Sequence, residues 1–286
     1  MFGAQSQGQF LCAHLILAAQ VMITSLSNDK VKFVRALSVR KNRLREGRFV
    51  VEGARLIDDA LNAGVKPDWV FCAERLATST VAVVARLHEL GLEVLDVSDA
   101  VMQACSETET PQGLLAVVPV PRLAMPRDPG LVLIVDNLRD PGNLGTLLRS
   151  AAAAGVDLAL LTPGTVDVFN AKVVRSAMGV HFRLPILYED WQAIGVRLHE
   201  MKIYLAATRA EQIYTQVDWT QPSALIIGGE AEGASESAVQ LATTRVAIPL
   251  ARDVESLNAA MAGSVILFEA DRQRREKNGA RDSGRD

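Results

Sequence analysis

Apolar runs without polar alternation recur through the second half of the chain, which predicts a mostly parallel sheet covered on both faces. The predicted strands are LVLIVD, LALLT, RLPIL, IYLAAT, SALIIGG and VAIPLA. Segments with helical spacing separate several of them: NLGTLLRSAAAAG, NAKVVRSAMG and WQAIGVRLHEM. A last helix, SLNAAMAGSVILFEADRQR, follows the final strand. This alternation is typical of the α/β class.

The first half of the chain predicts a second, smaller α/β unit. Val31, Val34 and Leu37 recur at helical spacing and leave the basic residues on other faces. Strands are predicted at RFVVEG, DWVFC, LEVLDV and the end of ETPQGLLAVVPV, and helices at ARLIDDALNAG and TVAVVARLHELG. These short alternating elements favour a small α/β sandwich.

A proline-rich stretch separates the two halves. Four of the eleven prolines fall between residues 119 and 130, where they favour a stiff, extended linker. We therefore predict domains at residues 23–118 and 131–275, followed by a charged tail at 276–286. Residues 1–22 are expected to be a non-essential extension. Their apolar run from Phe10 to Met22 is too short to span a bilayer, and a secretion signal is the alternative.

Composition and charge narrow the chemistry. The 286 residues are 49% hydrophobic and carry a net charge of −3, but residues 29–48 hold eight basic side chains against two acids. Such a patch can bind phosphates, although a solvated helix face is the simpler interpretation. The three cysteines have no CxxC spacing, which fits a reducing, cytoplasmic compartment. The four histidines have no HExxH spacing, so we expect no metal.

Three polar, glycine-containing loops follow predicted strands and indicate a ligand site. They are DNLRDPGNLG (the first loop, residues 136–145), GGEAEGAS (the second, 228–235) and PLARDVESLN (the third, 249–258). The chain contains neither GxxxxGK[ST] nor GxGxxG, so a P-loop or dinucleotide site is excluded. Loops at the carboxyl ends of parallel strands meet at one crevice, where ligands bind.

These loops resemble the three sequence motifs of the SpoU (TrmH-like) family of SPOUT RNA methyltransferases. The first loop with Arg149, the glycine and glutamate pattern of the second, and Ile248-Pro249 with Ser256-Leu257-Asn258 occur in that family's order and spacing. VVRSAMGVHFRLPI is similar to the segment between the first two motifs, and residues 28–64 with SETETPQGLLAVV resemble its L30e-like substrate-binding domain. The resemblance covers roughly residues 23 to 275.

The resemblance implies a fold and a reaction. The fold is an α/β SPOUT domain with a parallel sheet and a deep trefoil knot, preceded by a small L30e-like α/β domain. The reaction is methyl transfer from S-adenosylmethionine to a ribose 2′-hydroxyl of structured RNA, by a homodimer whose subunits both line the site. The L30e-like domain favours 23S ribosomal RNA. Transfer RNA, or a non-catalytic RNA-binding protein that keeps the fold, are the alternatives.

By motif match, the resemblance also assigns residues. It places Asn143, Arg149, Glu230, Ser256 and Asn258 at catalytic positions, and Gly228, Ile248 and Leu257 at the cofactor. RNA contacts are expected at Arg40, Lys41, Arg43 and Arg45. Simpler roles are a solvated Arg149 and helix N-caps at Asn143 and Ser256.

Arg149 and two departures from the family pattern bear on the chemistry of the site. An arginine stays protonated in proteins, so we favour a cation that stabilises the developing alkoxide, oriented by Glu230 beside it. In the second loop, Ala231 stands where glycine is common, which is a mild change. In the third, Arg252 replaces a usual glycine, so the loop must differ locally if that position has a positive φ, and Arg252 is a candidate RNA contact.

Overall fold

The computed structural model describes residues 21–230, 233–252 and 254–282. Nearly all of the predicted N-terminal extension, Ala231 of the second loop and the end of the charged tail therefore lie outside the described residues. The chain forms two compact units that divide between Pro121 and Arg122. None of the helices in the described ranges combines the length and the apolar character needed to cross a membrane.

The first unit is a four-stranded sheet with five helices among its described residues. In chain order its elements are α1 (Asp29–Ala36), α2 (Arg40–Glu46), β1 (Arg48–Glu52), α3 (Ala54–Asn62), β2 (Trp69–Ala73), α4 (Thr78–Glu89), β3 (Val94–Val97), α5 (Asp99–Cys105) and β4 (Leu114–Pro119). The strand order is β1-β4-β2-β3, in which β2 and β3 are parallel and the other pairs antiparallel. Helix α5, which begins at its N-cap Ser98, was not predicted from the sequence.

The second unit is built on a seven-stranded sheet. Its elements are β5 (Leu131–Asp136), α6 (Pro141–Ala153), β6 (Leu158–Leu161), α7 (Ala171–Ala177), β7 (Ile186–Tyr188), α8 (Trp191–Arg197), β8 (Lys202–Ala206), β9 (Gln212–Ile213), β10 (Ser223–Gly228), α9 (Glu236–Leu241), β11 (Thr244–Ala247) and α10 (Ala259–Asp282). The strand order is β7-β6-β5-β10-β8-β11-β9, and every described pairing is parallel. The predicted α/β class and parallel sheet are confirmed.

Helices cover both faces of this sheet, as the unbroken apolar runs require. Leu131, Leu133 and Val135 of β5 pack with α6 and α10 on one side. Val132 and Ile134 of the same strand pack with α8 and α9 on the other. Because successive side chains of a strand point to opposite faces, β5 is apolar at each position from Leu131 to Val135 and so serves both layers.

Two helix starts differ from the predicted ones. The N-cap of α6 is Asp140, whose Oδ1 accepts a hydrogen bond from the Asn143 amide at 2.7 Å, so Asn143 lies inside the helix rather than at its cap. Helix α10 begins at Ala259 rather than Ser256, because the Asn258 side chain caps it by accepting from the amides of Ala260 and Met261. Because Asp140 and Asn258 cap these helices, the side chains of the candidate catalytic residues Asn143 and Ser256 do not act as N-caps.

The structure also corrects the expectation that Arg43 contacts RNA. Its side chain is buried, and its guanidinium donates hydrogen bonds to the carbonyls of Leu37 at 2.6 Å and Ser38 at 2.7 Å. These carbonyls lie at the end of α1, which leaves its last carbonyls without helical partners. Arg43 therefore ties α2 to the end of α1, whereas Arg40, Lys41 and Arg45 are exposed.

Candidate active site

The three polar loops meet at the carboxyl edge of the second unit's sheet. The first loop leaves β5, the second leaves β10, and the third follows β11. A cavity of about 720 Å³ opens there, lined by residues from the ends of β8, β10 and β11 and from the start of α10. Six of the sequence-predicted residues line it: Gly228, Glu230, Ile248, Ser256, Leu257 and Asn258.

Close backbone contacts explain the paired glycines at the start of the second loop. A Cβ on Gly228 would lie 2.7 Å from the Ala234 amide nitrogen, and one on Gly229 would lie 2.6 Å from the Asn137 carbonyl oxygen. Both distances are shorter than any side chain tolerates. The two glycines therefore allow the second loop to fold back on itself and to touch the first loop, with the Gly229 amide donating to the Gly233 carbonyl at 3.1 Å.

A buried carboxylate, which the sequence analysis did not single out, anchors the second loop from below. Asp136 ends β5 and is 1% exposed. Its Oδ2 accepts from the Ser235 amide at 2.6 Å, and its Oδ1 accepts from the Thr162 hydroxyl at 3.2 Å. The Thr162 hydroxyl oxygen in turn accepts from the amide of Asn137 at 3.1 Å. The ends of β5, β6 and β10 are thus joined through one side chain; a charged residue closing an apolar run was the signal that could have identified it.

A chain of hydrogen bonds joins the three loops at the cavity rim. The Asn143 side chain donates from Nδ2 to Oε1 of Glu230 at 2.7 Å. Its Oδ1 accepts from Nδ2 of Asn258 at 3.0 Å. Because an asparagine amide is both donor and acceptor, Asn143 can connect a carboxylate on one side to a second amide on the other. One candidate catalytic residue from each loop therefore belongs to a single cluster.

Arg149 does not join this cluster. It lies six residues after Asn143 in α6, which places the two side chains roughly 120° apart around the helix axis. Its side chain is exposed, and the described residues offer it no hydrogen bond or ion pair. The expected contact with Glu230 is not formed, since the Glu230 carboxylate bonds Asn143 instead. Within one chain, Arg149 faces outward.

The third loop carries the departure from the family pattern. Arg252 has a φ of +59°, so a residue with a side chain occupies the left-handed region that a glycine adopts without strain. The backbone at this position therefore has a conformation that favours glycine, although it carries an arginine side chain. Arg252 is exposed and does not line the cavity.

The cavity has further lining residues that sequence reasoning missed. Ala206 ends β8, Ala207 and Thr208 follow it, and Arg245 lies on β11. No motif identifies them, because they reach the cavity only through the pairing of β8 with β11, which sets Val246 beside Ala206. Among the described residues no group of three or more histidine, cysteine or acidic side chains could hold a metal ion.

Comparison with known proteins gives matches for both units. Residues 130–268 match the model of the SpoU rRNA Methylase family, and residues 28–116 match the MRM3-like substrate binding domain. The chain is 37% identical to rRNA methyltransferase 3A, mitochondrial, from Danio rerio, with 85% of this chain and 68% of the relative covered. It is 34% identical to the 23S rRNA (guanosine(2553)-2′-O)-methyltransferase RlmP of Bacillus subtilis, with 86% of this chain and 97% of the relative covered.

Among solved structures, the AdoMet-bound rRNA methyltransferase from Sinorhizobium meliloti is similar with a TM-score of 0.76. It is 30% identical, and the match covers 88% of this chain and 97% of the other. Both units are thus matched together, in the same order along the chain.

Proposed function

This chain belongs to the SpoU rRNA methylase family, and on that premise we propose that its target is a ribose of large-subunit ribosomal RNA. It is an S-adenosylmethionine-dependent RNA 2′-O-ribose methyltransferase. The observation that carries the proposed target is the match to a Bacillus relative named for 23S rRNA, which extends over 97% of that protein. Both the methylase unit and the substrate-binding unit contribute to this match.

The cavity suits the cofactor in size and lining. Small-molecule sites of proteins are mostly apolar clefts of about 300–1,000 Å³ with a few polar groups, and this one has about 720 Å³. We assign Ile248 and Leu257 to apolar contacts with the cofactor, and Gly228 to a backbone contact, because a side chain there would collide with the loop. The bound cofactor supplies a methyl group activated by a sulfonium.

We assign the chemistry to the cluster at the rim. The 2′-oxygen of the ribose forms a bond to the methyl carbon as the carbon–sulfur bond breaks, and the hydroxyl proton leaves to solvent. Asn143, held between Glu230 and Asn258, positions the ribose, and Ser256 supplies a hydroxyl at the cavity wall. Arg149 is the cation that stabilises the developing negative oxygen, a role that a permanently protonated guanidinium suits better than that of a base.

An exposed apolar stripe supports a homodimer. Met261, Val265 and Phe268 recur at helical spacing in α10, Leu257 lies two residues before the helix, and all four are between 38% and 54% exposed. Helix α10 packs beside α6, where the hydroxyls of Ser264 and Ser150 bond at 2.7 Å. We propose that a second copy of the chain covers this stripe and receives the outward-facing Arg149 in its own site. A Met261→Glu variant should be monomeric in sedimentation and inactive, whereas an active monomer would contradict the proposal.

RNA binding by the first unit is assigned to Arg40, Lys41 and Arg45, which are exposed on α2. Replacing these three residues by glutamine should weaken binding to ribosomal RNA and reduce its salt dependence, because each phosphate contact contributes to that slope. Arg43→Gln is the contrasting variant. It should lower the melting temperature, since it removes two buried hydrogen bonds. Equal RNA affinity of the triple variant and the wild type would contradict the assignment.

The target is tested by mapping 2′-O-methyl groups on total RNA with and without the gene. Loss of one methyl group from 23S rRNA, and its restoration on an unmodified transcript by the purified protein, is the expected result. Loss from a transfer RNA, or no loss at all, would overturn the proposed target. The proposed compartment is the cytoplasm, where a bacterial cell assembles its ribosomes, and fractionation tests it.

A further inference from the structure

Three basic side chains of the second unit stand beside the start of α6. They are Arg139 in the first loop and Lys172 and Arg175 on α7, and we call them the α6–α7 basic surface. We propose that this surface binds the RNA phosphates that flank the target ribose. The proposal rests on the proposed function, and it adds an RNA contact in the methylase unit to those of the first unit.

Close packing of two helices positions this surface. A Cβ on Gly145 of α6 would lie 1.8 Å from the Ser176 hydroxyl oxygen of α7, so the helices approach more closely than side chains allow. The Ser176 hydroxyl donates to the Lys172 carbonyl within α7 at 2.8 Å, and its oxygen also lies 3.3 Å from the carbonyl oxygen of Pro141 in α6. The register is therefore fixed, and it brings Lys172 to the first turn of α6, where its Cε lies 3.8 Å from the position of a Cβ on Gly142.

The same first turn carries Asn143, the residue that we assign to the ribose. Gly142 precedes it directly, so Lys172 stands next to the proposed position of the target nucleotide. Arg139 lies four residues before Asn143, on the loop that leads into the helix. Arg175 is one helical turn beyond Lys172, opposite the buried positions Val173 and Ala177.

The charges of these side chains are largely uncompensated. Arg139 is exposed, and its described hydrogen bond is to a neutral group, the side-chain oxygen of Asn137, at 3.2 Å. Lys172 approaches Asp140 at 4.0 Å, but both side chains are about half exposed, so water weakens this ion pair. The Arg175 side chain has no hydrogen bond or ion pair with a described residue.

Phosphate is the ligand chemistry that this arrangement fits. Arginine pairs with phosphate through two parallel hydrogen bonds, and lysine binds it as a point charge. RNA is bound largely through its backbone phosphates and 2′-hydroxyls, and a methyltransferase must hold the strand on either side of the ribose that it modifies. One cation would be enough to bind a carboxylate ligand. Three cationic side chains side by side at the edge of the site fit a ligand with several negative charges, such as the RNA backbone.

The test compares two variants that lose the same charge. Arg139→Gln/Lys172→Gln/Arg175→Gln removes the surface, and Lys202→Gln/Arg275→Gln/Lys277→Gln removes three cations near the opposite edge of the sheet, where β8 begins and Lys277 contacts Thr220. Binding to an unmodified 23S rRNA transcript is measured across a salt series, together with S-adenosylmethionine affinity and methylation rate. The first variant should bind this RNA at least about tenfold more weakly, with a log–log salt slope lower by about 2, since each phosphate contact contributes about 0.7–0.9.

Its affinity for S-adenosylmethionine should stay within twofold of the wild type, and the control variant should keep the wild-type slope. If the wild-type protein methylates the transcript and the first variant keeps its RNA affinity and salt slope, the proposed role of the α6–α7 basic surface is refuted and the proposed function stays intact. An equal loss in both variants would also overturn it, because only net charge would then matter. A wild-type protein that neither binds nor methylates the transcript would instead refute the proposed function.

Discussion

Replacement of Asp136 by alanine should weaken cofactor binding, although Asp136 does not line the cavity. The carboxylate is buried and accepts from the amide of Ser235, the last residue of the second loop, at 2.6 Å. A hydrogen bond to a charged group contributes about 1.5–3 kcal/mol, and the bond from the Thr162 hydroxyl contributes about 1 kcal/mol. The alanine variant also no longer pays the desolvation cost of a buried charge, which offsets part of the lost hydrogen-bond energy. We therefore expect a net loss of about 2 kcal/mol in the stability of the loop conformation.

That loss converts into a change of affinity. If the binding-competent conformation of the second loop becomes about 2 kcal/mol less favourable, the apparent Kd for S-adenosylmethionine rises by up to a factor of roughly 30, the full factor applying where competing loop conformations are already populated. Calorimetric titration of the cofactor into the purified variant measures it. Asp136→Asn keeps an oxygen for the Ser235 amide and an amide for the Thr162 hydroxyl, so its Kd should rise less than about fivefold.

Ser223→Ala is the matched control for stability alone. Ser223 is also fully buried, but it lies at the amino end of β10, where its hydroxyl bonds Arg274 at 3.3 Å. Both alanine variants should lower the melting temperature, by about 2–4 °C for each kcal/mol lost, and only Asp136→Ala should raise the Kd. The reasoning is refuted if Asp136→Ala binds the cofactor within twofold of the wild type, or if Ser223→Ala weakens binding as much.

Further predictions concern the reaction, the packing and the pH dependence. Arg149→Lys should slow single-turnover methylation at least about tenfold with unchanged cofactor affinity, because the forked guanidinium is lost; near-full activity with an unchanged pH–rate profile would contradict this. Gly145→Ala should cost about 1–3 kcal/mol in denaturant unfolding by overpacking against Ser176, and a neutral result would refute the close contact. Burial lowers the pKa of His181 to about 4, below its unfolded value of about 6.5. As the pH falls, the unfolded chain therefore takes up the proton before the folded chain does. The contribution of His181 to the free energy of unfolding is fully present above about pH 6.5 and should fall by up to ~3 kcal/mol as the pH drops to 4. His181→Gln should flatten this pH dependence of the free energy of unfolding, and an unchanged dependence would contradict the argument.

Much of the fold could be predicted from the sequence, because parallel strands buried on both faces have a simple pattern. The run from Leu131 to Asp136 is apolar at every position that serves a helix layer, and its pattern alone fixes its place in the sheet's interior. Strand β9, with only Gln212 and Ile213, has no pattern to detect. Helix α9 was missed because it has six residues and follows a polar loop. The predicted trefoil knot depends on the path of the chain, which local hydrophobic patterns do not encode, and it stays a prediction.

The site could be located from the sequence but its contacts could not, for a physical reason. Loop positions follow from strand ends, so the meeting of the three loops needs only the parallel sheet. Hydrogen-bond partners depend on distances set by the whole unit: Asn143 bonds Glu230, 87 residues away, and Asn258, 115 residues away. The limit of predicting contacts from sequence is clearest for the arginines. Arg43 and Arg149 both suggest a ligand contact, yet one guanidinium is buried against backbone carbonyls and the other faces outward. A side chain with five donors is satisfied equally by carbonyls, phosphate or water, so only the position of its backbone decides which it meets.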